Sequence, residues 1–359
     1  MIGLNALALL AATTLAPAPT VPAPEEVMEI PPALQQMLEE RVIRPVRGPE
    51  QRLNRLVEMV LMPDGLALEY DADATQTVAE TFASRRANCL SFTLMFVALA
   101  REAGLDARVQ EVHQVVTWYQ DKGLIYNSGH VNVGLKIDGR EGTVDLDRNV
   151  LYDRRGPRAI TDRRALAHFY NNRGAELMAD GDTQAALAHF GVALEMTPRF
   201  SSTWNNLGVL HARMGDDRTA VRDYQTALDI DPSHPAALSN ATALYQRLGD
   251  HARAGQLASR MRKVQQRDPF YQFMLATQAE ERGDYDTAIR YYRRAVELHP
   301  SAHQFHFGLA RSYFLAGDNP NAERQLQLAR RLGDSAEVKG RYQEKLDSLR
   351  RLNRTTAQH

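Results

Sequence analysis

Apolar residues recur at helical spacing over residues 31–46 and 49–62, each segment opening with a proline in its first turn. Proline suits that position because its missing N–H would have no intrahelical partner there. The same spacing predicts a helix over 75–86. Another begins at Cys89, where the run Arg86-Ala87-Asn88-Cys89-Leu90-Ser91-Phe92 passes from polar to amphipathic. Gly104 is placed to end it. Strict alternation then takes over: 108–116 and 130–137 read as strands, with a third at 142–147. Between them, 117–129, with Trp118, Tyr119 and Tyr126, reads as a loop or hairpin tip.

From Ala167 the pattern becomes wholly helical and repeats every 34 residues, with units starting at Ala167, Ser201, Pro235, Pro269 and His303. The eighth positions are Gly174, Gly208, Thr242, Ala276 and Ala310, and the twentieth are Ala186, Ala220, Ala254, Ala288 and Ala322. Small residues there let the two helices of a unit cross closely. Pro198, Pro232 and Pro300 end second helices, while Pro269 is displaced by three residues. Phe190, Tyr224 and Tyr292 fall at position 24, as ring-sized fillers between units. These units resemble tetratricopeptide repeats (TPR), which implies a right-handed solenoid whose concave groove is lined by the first helix of each unit. The organisation expected is a leader and linker over 1–25, an α+β domain over 26–160, a five-repeat all-α solenoid over 167–334, and a capping helix and tail over 335–359.

Composition changes this picture little. A chain of 359 residues, 44% hydrophobic and 24% charged, has ample material for two globular domains. A net charge of -1 gives no electrostatic reason to expect nucleic acid or an anionic membrane as partner. The apolar run Met1-Ile2-Gly3-Leu4-Asn5-Ala6-Leu7-Ala8-Leu9-Leu10-Ala11-Ala12 resembles a secretory leader. The proline-alanine stretches after it, Ala16-Pro17-Ala18-Pro19 and Val21-Pro22-Ala23-Pro24, resemble a linker. A periplasmic or secreted location is expected on that basis; the absence of Lys or Arg before the apolar run keeps a cytoplasmic one as the alternative. The run is too short to predict a stable membrane insertion.

Cys89 is the only cysteine, so its uses are packing or chemistry rather than an intramolecular disulfide. A thiol at a helix start meets the positive end of the helix dipole, which favours thiolate. Asp138-Gly139 is a favoured two-residue hairpin turn. Pairing across it sets Ile137 opposite Arg140, Val133 opposite Val144 and Val131 opposite Leu146. The apolar side chains then share one face, and His130, Asn132, Asp145 and Asp147 share the other. Asp147 lies opposite His130 and Asp145 on the diagonal, close enough for an Asp–His hydrogen bond. A nucleophile, a base and an orienting carboxylate on separate elements is the arrangement of acyl-transfer sites. The backbone N–H of Cys89 is a candidate oxyanion donor, and Asn88 is a helix cap. Trp118 and Tyr126 serve either as cleft walls or as packing. His113 with His130 and Asp145 forms no compact ligand motif, so neither a metal nor a cofactor is expected.

Asn88-Cys89 heading an apolar helix that ends Ala100-Arg101-Glu102-Ala103-Gly104-Leu105 resembles the transglutaminase-like superfamily. Gly129-His130-Val131-Asn132-Val133 is similar to its His strand, and Val144-Asp145-Leu146-Asp147 to its Asp strand. The resemblance covers about residues 70–150 and implies a papain-like Cys89-His130-Asp145 site, its spacing favouring Asp145 over Asp147. Ala87 replaces the usual glycine two residues before the cysteine, and Val131-Asn132 replaces an aromatic after the histidine. The implied activity is a cysteine-dependent peptidase, amidase or transglutaminase-like acyl transfer; the alternative is an inactive scaffold that only binds proteins. In the repeats, Asn172, Asn206 and Asn240 occupy position 6, and Asn171 and Asn205 position 5. They resemble the asparagine ladder in the superhelix of protein O-linked N-acetylglucosamine transferase, which implies a bound protein or peptide backbone. Filling the seam between units is the competing use.

Overall fold

The computed structural model describes residues 21–112, 130–146, 156–333 and 335–356, with the backbone of short strands at 120–121 and 124–125. The expected leader over 1–20 and the residues His113, Trp118, Tyr119, Tyr126 and Asp147 lie outside the described residues.

The N-terminal region opens with three helices: α1 (Pro24–Val27), α2 (Pro32–Leu38), which runs on through a π-helical turn at Glu39–Ile43, and α3 (Pro49–Leu61). Strand β1 (Glu69–Tyr70), helix α4 (Val78–Ser84), strand β2 (Arg86–Ala87) and helix α5 (Cys89–Glu102) follow. Next come β3 (Asp106–Val112), β4 (Gln120–Asp121), β5 (Leu124–Ile125), β6 (His130–Ile137), β7 (Arg140–Val144) and β8 (Arg158–Ala159). The main sheet runs β7-β6-β3-β8, with every pair antiparallel.

Helix α5 is the axis of this domain. Every residue from Leu90 to Ala100 is buried, so the helix is enclosed on all sides rather than presenting one wet face as its sequence suggested. A helix that is apolar all round belongs in a core. Val131, Val133, Leu135, Ala107 and Val109 of β6 and β3 share that core with it. Asp138 and Gly139 both take positive φ (49° and 78°), the twist a two-residue hairpin requires. The turn fixes the expected register, Ile137 opposite Arg140 and Val133 opposite Val144.

Two features depart from the sequence reading. Residues 21–25 pack rather than link: Val21 lies against the core, and the Tyr170 hydroxyl donates to the Pro22 carbonyl at 2.7 Å. The two-residue ladders β1–β2 and β3–β8 were not expected, because segments that short carry no periodicity.

Ten helices then form five antiparallel pairs: α6 (Asp162–Ala179) with α7 (Thr183–Met196), α8 (Ser201–Arg213) with α9 (Asp217–Ile230), α10 (Pro235–Arg247) with α11 (His251–Arg267), α12 (Pro269–Glu281) with α13 (Tyr285–Leu298), and α14 (His303–Leu315) with α15 (Asn319–Leu332). The turn within each pair carries a glycine with φ between 75° and 88°, from Gly181 to Gly317, followed by an aspartate whose carboxylate caps the next helix. Helix α11 is three residues longer than α9 (17 against 14) because its terminating proline is displaced by three. A Cβ on Gly174 or Gly208 would stand 2.6 Å from the ring of Phe190 or Tyr224, which explains the glycine at position 8. The last helix, α16 (Ala336–Thr356), buries Tyr342 and Leu346 against α14 and α15 and closes the solenoid. None of the described helices is long and apolar enough to cross a membrane.

The α+β region and the solenoid meet without a spacer. Helix α6 starts at Asp162, five residues before the expected first unit, and its early turns belong to the interface. Arg101 pairs with Asp162 at 2.7 Å and 2.9 Å, and Arg164 and His168 both bind Glu111. Phe169, Tyr170 and Ala193 enter the same apolar core as α5.

Candidate active site

Asn88 has extended backbone angles, and its side-chain oxygen accepts from the Ser91 N–H at 2.9 Å, so it caps α5 and makes Cys89 the first helical residue. In that position the Cys89 N–H has no carbonyl four residues back within the helix. One turn later, the Thr93 hydroxyl donates to the Val131 carbonyl at 3.3 Å, which fixes the start of α5 beside the start of β6.

His130 opens β6. Its Nε2 lies 2.6 Å from Asp145 Oδ2, and both side chains are nearly enclosed, at 6% and 10% exposure. The Cys89 thiol also acts on the ring, adding to the rise in its pKa. Burial alone would lower the pKa of His130. Hydrogen bonds to Asp145 and Cys89, and the charges of both, outweigh burial and raise it from 6.5 to about 10. Cys89 itself is half-buried.

Asn132 is the residue whose role sequence reasoning missed. Its Nδ2 donates to the same Asp145 oxygen at 3.4 Å, a second support for the carboxylate. The signal was present, since Asn132 stands two residues from His130 and so shares its face. Asn88 does not point at the thiol; its Nδ2 donates to the Thr75 hydroxyl at 2.8 Å.

The family models follow the same division. Residues 36–140 match the transglutaminase-like superfamily, and residues 201–234 and 273–337 match tetratricopeptide repeats. The chain carries a transglutaminase-like domain followed by tetratricopeptide repeats. No curated protein matches it. Among solved structures, MamA from Desulfovibrio magneticus is 19% identical, covering 49% of this chain and 100% of its own, with a TM-score of 0.27. A tetratricopeptide repeat protein from Parabacteroides merdae is 22% identical, covering 51% of this chain and 72% of its own (TM-score 0.27). Pseudomonas aeruginosa pilF is 15% identical, covering 53% and 94% (TM-score 0.29).

In the TPR region the asparagines form one connected chain. Asn240 Nδ2 donates to Asn205 (3.0 Å), Asn205 to Asn206 (3.1 Å), Asn206 to Asn171 (3.0 Å) and Asn171 to Asn172 (3.2 Å). Each amide thus donates to the next across three repeats. Asn206 and Asn240 bridge adjacent units, Asn172 bonds within its own helix, and all three are half-buried rather than enclosed.

Proposed function

We propose that the transglutaminase-like domain is a cysteine-dependent acyl-transfer enzyme, with Cys89 as nucleophile, His130 as acid and base, and Asp145 as the group that orients His130. The observation that carries this reading is the buried His130–Asp145 pair at 2.6 Å, with the Cys89 thiol close enough to raise the His130 pKa. The Cys89 sulfur attacks the carbonyl carbon of a peptide bond or a glutamine carboxamide. The oxyanion forms next to the Cys89 N–H. A His130 ring proton passes to the leaving nitrogen as the C–N bond breaks, leaving a thioester on the sulfur. Water then attacks the thioester while His130 takes its proton, and the thiol is regenerated with release of the acid. An amine in place of water would give cross-linking; hydrolysis is favoured because no residue marks an amine-acceptor site.

The TPR groove holds a protein or peptide partner and presents it to the thiol. Each asparagine Nδ2 bears two hydrogens and the seam uses one, so the half-buried position-6 amides keep a donor for an extended backbone. The apolar run near the N-terminus supports export to the periplasm or beyond. Export predicts that the mature chain, recovered from an expressing bacterium, weighs less than the full sequence; a full-length cytoplasmic product would refute it.

The enzyme reading is tested by the rate of Cys89 alkylation with iodoacetamide as a function of pH. An activated thiol reacts well below the pH of about 8.5 at which ordinary thiols ionise. His130→Ala should move the profile toward that ordinary value. A wild-type profile already at the ordinary value, in folded protein, would leave only the scaffold reading, in which the groove binds and the thiol is idle.

A further inference from the structure

We infer that Arg173 and Glu176, on the first helix of the solenoid, are positioning residues for the thiol site. They hold the buried segment that sets the start of the Cys89 helix. This inference rests on the reading of Cys89 as the nucleophile.

The segment Ala74-Thr75-Gln76 lies between α5 and α6. Toward α5, the Ala74 carbonyl accepts from the Ser91 hydroxyl at 2.8 Å and from the Asn88 N–H at 3.4 Å, and the Gln76 N–H donates to the Ser91 hydroxyl at 2.7 Å. The Thr75 hydroxyl accepts from Asn88 Nδ2 at 2.8 Å. Toward α6, the Thr75 N–H donates to Glu176 Oε1 at 3.2 Å, and Arg173 Nη1 donates to the Thr75 carbonyl at 3.1 Å.

Thr75 is fully buried, and each of its polar groups has a partner outside its own segment. Its N–H and carbonyl bind Glu176 and Arg173 of the solenoid, and its hydroxyl binds Asn88 of the helix cap. The connection runs from Glu176 through the Thr75 residue and the Asn88 amide to the Ser91 N–H. Asn88 immediately precedes Cys89, so its backbone angles set where the Cys89 N–H points. Arg173 also lies 3.8 Å from both Glu80 and Glu176, which holds its guanidinium over the segment. Without these two side chains a buried N–H and a buried carbonyl would lose their partners. The loop would then shift to regain them, taking the cap with it. An error of about 1 Å at a reacting atom can cost about a hundredfold in rate.

The test compares full-length wild-type, Glu176→Ala, Glu176→Gln and Arg173→Ala proteins by iodoacetamide alkylation against pH and by amide hydrogen exchange over residues 74–76 and 88–91. Circular dichroism confirms folding. Glu176→Ala should slow alkylation about tenfold and shift its pH profile, with faster exchange at both segments. Glu176→Gln, which keeps an acceptor oxygen for Thr75, should return both to near wild-type, and Arg173→Ala should behave like Glu176→Ala. Unchanged exchange and profile in folded Arg173→Ala and Glu176→Ala would overturn the inference, as would a failure of Glu176→Gln to rescue. An ordinary thiol profile in the wild type would defeat the enzyme reading alone. The exchange data would still decide whether α6 holds the cap.

Discussion

Two side chains carry pH signatures of the same sign in separate pH windows, so they can be read separately. His130 is raised from 6.5 to about 10 because its hydrogen bonds to Asp145 and Cys89 overcome burial. Its contribution to stability is therefore complete below pH 6.5 and is lost as pH rises through 10. Asp145→Asn removes the carboxylate charge, so the His130 pKa should fall by at least a unit in a proton NMR titration. The loss of thermal stability between those pH values should shrink with it. Burial pushes Glu176 from 4.5 up to about 7 against the Thr75 hydrogen bonds and the Arg173 charge, with Asp73 adding to the rise. A raised carboxyl stabilises the fold below pH 4.5, and that contribution fades as pH rises through 7. Relative to wild type, Glu176→Gln should gain on the order of 1–3 kcal/mol between those limits and nothing further below them, in denaturant melts across pH. The His130–Asp145 pair was legible in the sequence because a two-residue turn at Asp138-Gly139 fixes parity. The Glu176–Thr75 contact was not, since it joins residues 101 positions apart through an interface with no periodic signal.

At the scale of helices and strands, glycines with one identity do different work. Gly208 admits the Tyr224 ring, and a Cβ there would approach it to 2.6 Å. Gly208→Ala should cost about 1–3 kcal/mol in chemical denaturation. Gly191, in α7, has nothing within 4 Å of such a Cβ, so Gly191→Ala should stabilise by up to about 1 kcal/mol. Equal effects at the two sites would contradict the packing account. The repeat was legible from its alanines and prolines, yet its sharpest marker is the Gly-Asp pair at Gly181-Asp182, Gly215-Asp216, Gly249-Asp250, Gly283-Asp284 and Gly317-Asp318. Glycine supplies the left-handed turn and aspartate the cap. Helix α5 was read as amphipathic because Ser91 and Thr93 interrupt its apolar run. Both are buried and spend their hydroxyls on the Ala74 and Val131 carbonyls, a use that only the tertiary structure reveals.

For the molecule as a whole, the transglutaminase-like domain and the first repeat share one core, so the division at about residue 160 is one of pattern rather than of packing. Glu111 of β3 sits at that junction. Burial would raise its pKa, but hydrogen bonds and charge from His168 and Arg164 of α6 hold it well below the usual carboxylate range. That stability is present above the unfolded value and is lost as pH falls. Glu111→Ala leaves Arg164 without its carboxylate partner at a partly buried junction and should cost about 3–5 kcal/mol, splitting a shared unfolding transition into two by calorimetry. A single transition at the wild-type temperature would contradict the shared core.

The central claim is that Cys89 is a working nucleophile served by His130, and a covalent intermediate tests it most directly. Full-length protein mixed with p-nitrophenyl acetate should release a burst of one nitrophenolate per chain. Mass spectrometry should then find a single acetyl group on Cys89. Cys89→Ala should abolish the burst, and His130→Ala should slow it by about 10²–10⁴-fold. Release by wild type no faster than by Cys89→Ala, with no acetyl group on the thiol, would contradict the claim.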